Sequence, residues 1–338
     1  MTMEADAVRL NMYGLRVLIR CTEREVVREV ARDFSSFRVS PGERIDLTLE
    51  VEVRPPPWEL LPALRAAQYT PRNITYRDGS VTWLDYFGRA LARVEREAGR
   101  MTIWGTDIDL LREIVFLTLL SWSGEYLDRR GLHRIHALGI SYRGRAVLIM
   151  MPSGGGKSTL ALQMLKQPGV TLLGEDSPLV DAKGQVYPFQ LRPGIKDPSA
   201  AGIPPEYLRT VRRMEFDPKT LVDLDYFAGR LSPTVPAGIL LLGQRSSGTR
   251  AAIEPLGTRQ ALEGLIKNMV VGLGLYQGVE FVLEHSGWEL VGKSGVAAAR
   301  MRAAIGLLRT CRTGVLVLGR EIPHNAEVLM AYLQRELG

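Results

Sequence analysis

The stretch Ala146-Val147-Leu148-Ile149-Met150-Met151-Pro152-Ser153-Gly154-Gly155-Gly156-Lys157-Ser158-Thr159-Leu160 decides how the chain is read. Residues 146–150 are apolar without a break, as expected of a buried strand. Three glycines follow, and a helix is expected from Lys157. Glycine lets the backbone curl so that successive N–H groups point at one anion, and the helix N-terminus adds the positive end of its dipole. In such a turn Lys157 supplies a point charge for the β and γ phosphates, and Ser158 stands where a hydroxyl ligand of Mg²⁺ is needed. The formula G-x-x-x-x-G-K-[ST] asks for glycine where this chain has Met151. The candidate nucleotide-binding residues are Ser153, Gly154, Gly155, Gly156, Lys157, Ser158 and Thr159, with ATP and Mg²⁺ as the implied cofactors.

Downstream, the run 170–173 reads as the next buried strand, and Gly174 leads into Glu175-Asp176, 18 and 19 residues past Lys157. That gap is one helix and a return to the sheet. Adjacent carboxylates resist joint ionisation unless a cation is near, which suits a metal held by Ser158, Glu175 and Asp176. Upstream, His136 lies 15 residues before Met151, at the start of a strand pair over 137–142 and 146–150. Arg192, at the close of an expected strand over 186–191, is the preferred cation for a transferring phosphoryl group, ahead of Arg212, Arg213 and Lys219. Each has a plain structural reading too. The acids could form an exposed turn before Ser177-Pro178, His136 could be a hydrogen-bonded structural residue, and the arginines could sit in surface ion pairs. His133, His285 and His324 carry no functional weight.

The rest of the chain supplies the frame. Leu47, Leu49, Val51 and Val53 alternate with Thr48, Glu50 and Glu52, a period of two that buries one sheet face until Pro55 stops it. Asp78-Gly79 and Ala98-Gly99 mark two hairpins. Residues 1–107 therefore read as a mostly β accessory domain, a small antiparallel layer. From Asp107 to about residue 126 the apolar positions take the period of a buried helix with an acidic cap. Beyond it strands over 170–173, 186–191, 239–242, 279–283 and 314–318 alternate with helices near 258–271, over 296–308 and from Asn325. Residues 108–338 are expected to form the nucleotide-binding domain, so the fold class is α/β (α+β) with a mixed central sheet.

With 338 residues and 46% hydrophobic composition there is ample material for a core. Charges interrupt every apolar stretch before about 18 residues, so no membrane span is expected, and the N-terminus lacks the pattern of a secretory signal. Cys21 and Cys311 support neither a disulfide framework nor a cysteine-rich metal site, which makes the cytoplasm the default. Lys+Arg 43 against Asp+Glu 37 is a mild excess with no basic run, and no nucleic-acid partner is expected.

His136, then Ser153-Gly154-x-Gly156-Lys157-Ser158, then Glu175-Asp176, in this order and at these separations, resemble the catalytic domain of HPr kinase/phosphorylase and the bacterial HPr-kinase-related proteins. Val186-Tyr187-Pro188 through Leu191-Arg192, and Met12-Tyr13-Gly14-Leu15-Arg16-Val17, are similar to segments of the same proteins. The resemblance implies a fold shared with phosphoenolpyruvate carboxykinases, ATP-dependent phosphorylation of a hydroxyl, and self-association as a homo-oligomer. Glu175 stands where the family has its first aspartate, and Asp176 matches the second. On this reading Asp176 is the base, assisted by His136, and the acceptor is a serine of a protein or peptide, or a small molecule. Two other readings remain beside it, a nucleotide-sensing module without turnover and a plain ATPase.

Overall fold

Leu47, Leu49 and Val51 are buried while Thr48, Glu50 and Glu52 stay partly exposed, the alternation of a strand with one face in a core. The structure, a computed structural model, describes residues 6–40, 42, 44–195, 202–214, 217–271 and 287–338. The strand expected over 279–283, and His285, lie outside the described residues. The fold is mixed α/β, with several sheets and helices, and the chain divides into two compact units, Met1–Ser123 with Leu208–Asp223, and Gly124–Tyr207 with Leu224–Gly338.

The first unit opens with β1 (Asp6–Met12), β2 (Leu15–Cys21), helix α1 (Arg24–Asp33) and β3 (Leu47–Val53). It continues through β4 (Gln68–Tyr69), β5 (Ile74–Asp78), β6 (Val81–Asp85), β7 (Ala90–Glu95) and β8 (Arg100–Gly105). These make one 8-stranded sheet in the order β1-β2-β3-β8-β7-β6-β5-β4. Both expected hairpins are present, with Asp78 opposite Val81 and Glu95 opposite Arg100. The sheet is neither small nor antiparallel throughout, because β3 lies parallel to both β2 and β8. A parallel pair needs a crossover, and α1 supplies it. Val26, Val27 and Val30 bury one side of α1 at helical spacing, so packing overrides the strand preference of valine there.

Helix α2 (Ile108–Arg129) begins where Asp107 accepts a hydrogen bond from Leu110 N at 3.2 Å, the acidic cap that its sequence predicts. The second unit then runs through β9 (His133–Arg134), β10 (Ala137–Tyr142), β11 (Arg145–Met150), α3 (Lys157–Met164) and β12 (Val170–Gly174). Next come β13 (Leu179–Val180), β14 (Gln185–Tyr187) and β15 (Gly194–Ile195). β14 stops well short of the strand expected over 186–191, since Pro188 has no N–H to continue a ladder.

The chain returns to the first unit for the hairpin β16 (Leu208–Val211) and β17 (Lys219–Val222), and to the second for β18 (Val235–Arg245) and β19 (Ala252–Pro255). Helix α4 (Thr258–Leu265) passes into a π-helical turn over Ile266–Val270. Helix α5 (Gly287–Thr310), β20 (Arg312–Leu318) and α6 (Ile322–Glu336) close the chain. α6 starts before Asn325, with Pro323 in the first turn where a missing N–H costs nothing. β18 is the spine of the mixed sheet: it is parallel to β11 on one side and to β20 on the other, and its start pairs with β14. Leu148, Met150 and Leu240 of these strands share a core with Leu265, Met269, Ala303 and Leu307.

One buried charge cluster holds the first unit together. Arg209 on β16 bonds Glu29 and Asp33 of α1, and also Asp223 at 3.0 Å. Arg112 of α2 bonds Glu29 at 2.9 Å, and Arg32 bonds both Glu29 and Asp223. Burial pushes the Glu29 carboxyl up, but Arg209 and Arg112 outweigh it and hold the group below its ordinary value. Removing one partner of a buried ion pair costs roughly 3–5 kcal/mol, because the others stay buried without compensation. Arg209→Met is expected to lower unfolding stability by roughly that amount in urea titration. A carboxyl held low stabilises the fold at neutral pH and loses that contribution as pH falls from 4.5 downward. Wild type should therefore weaken more steeply on acidification than the variant.

Candidate functional site

β11 ends at Met150, and the main chain turns sharply through residues 151–156 before α3. Gly154 and Gly156 take φ of 74° and 106°, a region that side chains strongly disfavour. Gly155 donates its N–H to Pro152 O at 3.0 Å and so closes the turn on itself. In this structure the Gly155 amide is thus committed to Pro152 O within the turn. The first intrahelical bond runs from Leu160 N to Gly156 O, so the amides of Lys157, Ser158 and Thr159 have no acceptor inside the helix. Met151, where the motif formula has glycine, is buried, and its side chain lies over Gly243 of β18. A methyl group at position 243 would collide with Met151 Cγ, so the missing side chain on β18 makes room for the one at 151.

Lys157 points back under the turn and is 6% exposed. Its ammonium donates to His136 Nε2 at 2.9 Å and Met151 O at 2.9 Å, with Pro152 O at 3.4 Å and Asp176 Oδ1 at 3.5 Å. An ammonium can only donate, so Nε2 accepts and the neutral imidazole carries its proton on Nδ1. That Nδ1 is buried without a hydrogen-bond partner, 3.3 Å from Asp176 Oδ1. Burial, followed by the charge on Lys157, holds the His136 pKa below its ordinary value against the opposing pull of Asp176. His136 is fixed on both sides through the backbone: its own N–H reaches Asn268 O at 2.8 Å, and Ile135 N reaches Pro178 O at 3.1 Å. β10 pairs with β12, Gly139 opposite Gly174, which delivers the acids just beyond Gly174 to the same end of the strands. There Ser158 donates to Glu175 Oε1 at 2.5 Å.

The structure thus brings together His136, Lys157, Ser158, Glu175 and Asp176. Ser153, Gly154 and Thr159 are exposed along the turn and first helical residues. Phe189 N bonds Leu173 O at 2.9 Å and Gln190 Nε2 bonds Leu172 O at 2.7 Å, so the segment leading to Arg192 runs beside β12. Arg192 itself is half-buried, and the contacts just described do not include it. Arg212, Arg213 and Lys219 belong to the first unit, where Arg213 is engaged by Asp217 O and Arg212 lies 3.9 Å from Asp109. Among the described residues no group of three or more His, Cys, Asp or Glu side chains has the arrangement of a metal site. No described helix is long and apolar enough to cross a membrane.

Sequence reasoning assigned nothing to His133, yet its Nδ1 is 2.7 Å from Asp128, which also pairs with Arg300 at 2.6 Å. The five-residue step from Asp128 to His133 is a signal that could have been read; the 172-residue step to Arg300 is not. Neither family models nor curated protein sequences give a match to this chain.

Two measurements check this geometry. Gly243→Ala should destabilise the protein by roughly 1–3 kcal/mol through overpacking. In a Met151→Ala background the same change should cost less than about 0.5 kcal/mol; equal costs in both backgrounds would show that Met151 does not occupy that space. The second concerns His136, whose folded pKa is low. As pH falls through the ordinary value of 6.5 the unfolded chain takes up that proton first, so stability is lost on the acid side. Melting temperatures between about pH 7.5 and pH 5 should fall more for wild type than for His136→Gln.

Proposed function

We propose that the chain is an ATP-dependent phosphotransferase acting on a hydroxyl, with the Gly154–Gly156 turn as its phosphate-binding loop and a fold akin to that of HPr kinase and phosphoenolpyruvate carboxykinase. The observation that carries this reading is the cluster in which one buried lysine at the foot of a glycine turn meets a histidine at 2.9 Å and a half-exposed carboxylate at 3.5 Å. Phosphoryl transfer asks the protein for charge placement and a proton acceptor rather than covalent chemistry, and this set offers both.

The residues fit the implied cofactors. A side chain at Gly155 would come within 2.9 Å of Pro152 O, so this tight turn needs glycine there, while Gly154 has nothing within 4 Å of a side-chain position and leaves that side of the loop open. Ser158 and Glu175 present adjacent oxygens, the donor type that Mg²⁺ takes, with Asp176 next in the chain. When bound, Mg-ATP supplies the phosphoryl group. Lys157 neutralises phosphate charge, and the helix amides of residues 157–159 add donors. Asp176, with its side chain 50% exposed, takes the proton of the acceptor hydroxyl. His136, its Nδ1–H beside that carboxylate, orients it and stabilises its charge. Arg192 is kept as a further cation for the transferring group. The acceptor is a serine of a protein or peptide, or a small molecule. No nucleic-acid or membrane partner belongs to this reading, which places the protein in the cytoplasm as a homo-oligomer.

Lys157→Ala tests it. At about 100 times Kd, Mg-ATP should stabilise wild type by about 2.7 kcal/mol, seen as a raised melting temperature, and this shift should vanish in the variant. An equal shift in both proteins overturns the phosphate-loop assignment. Incubation of wild type with Mg-ATP and a panel of serine peptides and small hydroxyl compounds then reads the reaction: phosphate on the acceptor supports the transferase, release of phosphate alone selects an ATPase, and tight binding without product selects a sensor.

A further inference from the structure

Asp128, at the end of α2, is buried and accepts hydrogen bonds from His133 Nδ1 at 2.7 Å, Arg300 Nε at 3.1 Å and Arg300 Nη2 at 2.6 Å. Burial raises the Asp128 pKa, but the bonds from His133 and Arg300 more than offset it, and the carboxylate stays charged. Arg134 is the other charged group beside this cluster. It is buried with its guanidinium 4.6 Å from the Phe189 ring centre, and burial pushes its pKa down to about 10. Burying charged groups together is costly in a protein interior, and a core of apolar side chains would avoid it.

What Arg300 does with its remaining nitrogen gives the arrangement a use. Nη1 donates to Val270 O at 3.2 Å and lies 3.5 Å from Met269 O. Those carbonyls belong to the π-helical turn, in which Val271 N reaches back to Ile266 O. The same turn offers Asn268 O to the His136 N–H at 2.8 Å. On the other side, His133 and Arg134 pair with Val180 and Leu179, so the Asp128–His133 bond holds the strand that leads into His136. Arg300 therefore links both supports of the histidine backbone: the turn through carbonyl bonds, and the strand through Asp128 and His133.

We propose that Arg300 is a positioning residue for His136, tying the Ile266–Val270 turn and the segment from β9 to His136 into one frame that sets the imidazole between Lys157 and Asp176. The ring keeps one hydrogen bond, from Lys157 at 2.9 Å, while its other nitrogen stands 3.3 Å from Asp176, and a displacement near 1 Å would break the first or carry the second out of reach. The link between this frame and turnover rests on the phosphotransferase reading; the link to imidazole geometry does not.

The experiment uses the full chain with Arg300→Lys and with the double variant Arg300→Met/Asp128→Asn. The double variant removes Arg300 together with its counter-ion, so neither is left facing a missing partner, Arg134 stays as the charged group beside them, and the Asn oxygen can still accept from His133. Histidine nitrogen NMR at about pH 8, where imidazole is neutral, reads the His136 tautomer, with His136→Gln supplying the assignment. Wild type should show the Nδ1–H form with Nε2 accepting. The double variant should show a tautomer mixture, and Arg300→Lys an intermediate signal. Mg-ATP Kd by calorimetry should change by less than about 3-fold, while kcat for phosphate transfer falls by about 10-fold or more, up to about 100-fold for a shift near 1 Å. A folded double variant with the wild-type tautomer signal overturns the proposal. Loss of folding in the double variant also overturns it, since the cluster would then be a purely structural support. A wild type that binds no Mg-ATP defeats the nucleotide reading alone, because the NMR comparison needs no nucleotide.

Discussion

A lysine ammonium removed from water has to be fully paired, and the surroundings of Lys157 follow from that requirement. Its donors reach the His136 ring and the carbonyls of Met151 and Pro152, and Asp176 supplies the opposite charge. Two carbonyls can turn inward toward a side chain that starts the following helix only if the chain between them reverses sharply. Gly154 and Gly156 allow that reversal with φ of 74° and 106°. The reversal presses Met151 into the sheet, and Gly243 on the neighbouring strand gives it space. Lysine, glycines, methionine and the bare position on β18 are thus one solution to one electrostatic problem.

How much of this could be read beforehand depended on the range of the interaction. The strand, turn and helix over residues 145–164 were legible because buried apolar run, glycine and helix start agree locally. Hairpins at Asp78-Gly79 and Ala98-Gly99 were legible for the same reason, since turn chemistry acts over four residues. The sheet of the first unit was read as small and antiparallel because nothing local to β3 reveals that both its neighbours run parallel to it. α1 was missed through its valines, whose strand preference is outweighed by burial at helical spacing. The cluster around Arg209 joins residues as far as 191 positions apart and leaves no local mark.

The candidate site divides along the same line. His136, Lys157, Ser158, Glu175 and Asp176 could be named together because strand, helix and strand lengths fix where consecutive segments end, and one helical excursion brings the chain back beside β10 with the acids at the same end of the strands. The carbonyl of Asn268, which holds His136 in place, carries no side-chain signature at all. Arg300 is 172 residues from Asp128, and its role is visible only once the two helices that bear them are packed.

Charge balance sets a further condition on any anion that approaches the turn. With the imidazole neutral, Lys157 stands against Glu175 and Asp176, and the cluster has an excess of negative charge. A polyphosphate entering alone would gain the lysine and helix amides but meet two carboxylates within the same few ångströms, and like charges at that range in a partly buried site cost several kcal/mol. The balance reverses when a divalent cation sits between the carboxylates and the phosphates, because each carboxylate then becomes an attraction. Ser158, already hydrogen-bonded to Glu175, is the neutral oxygen beside that position. On the phosphotransferase proposal, the acids act against anion binding by themselves and in favour of it with a metal, so that reading requires a metal–nucleotide complex rather than free nucleotide or simple phosphate as the ligand.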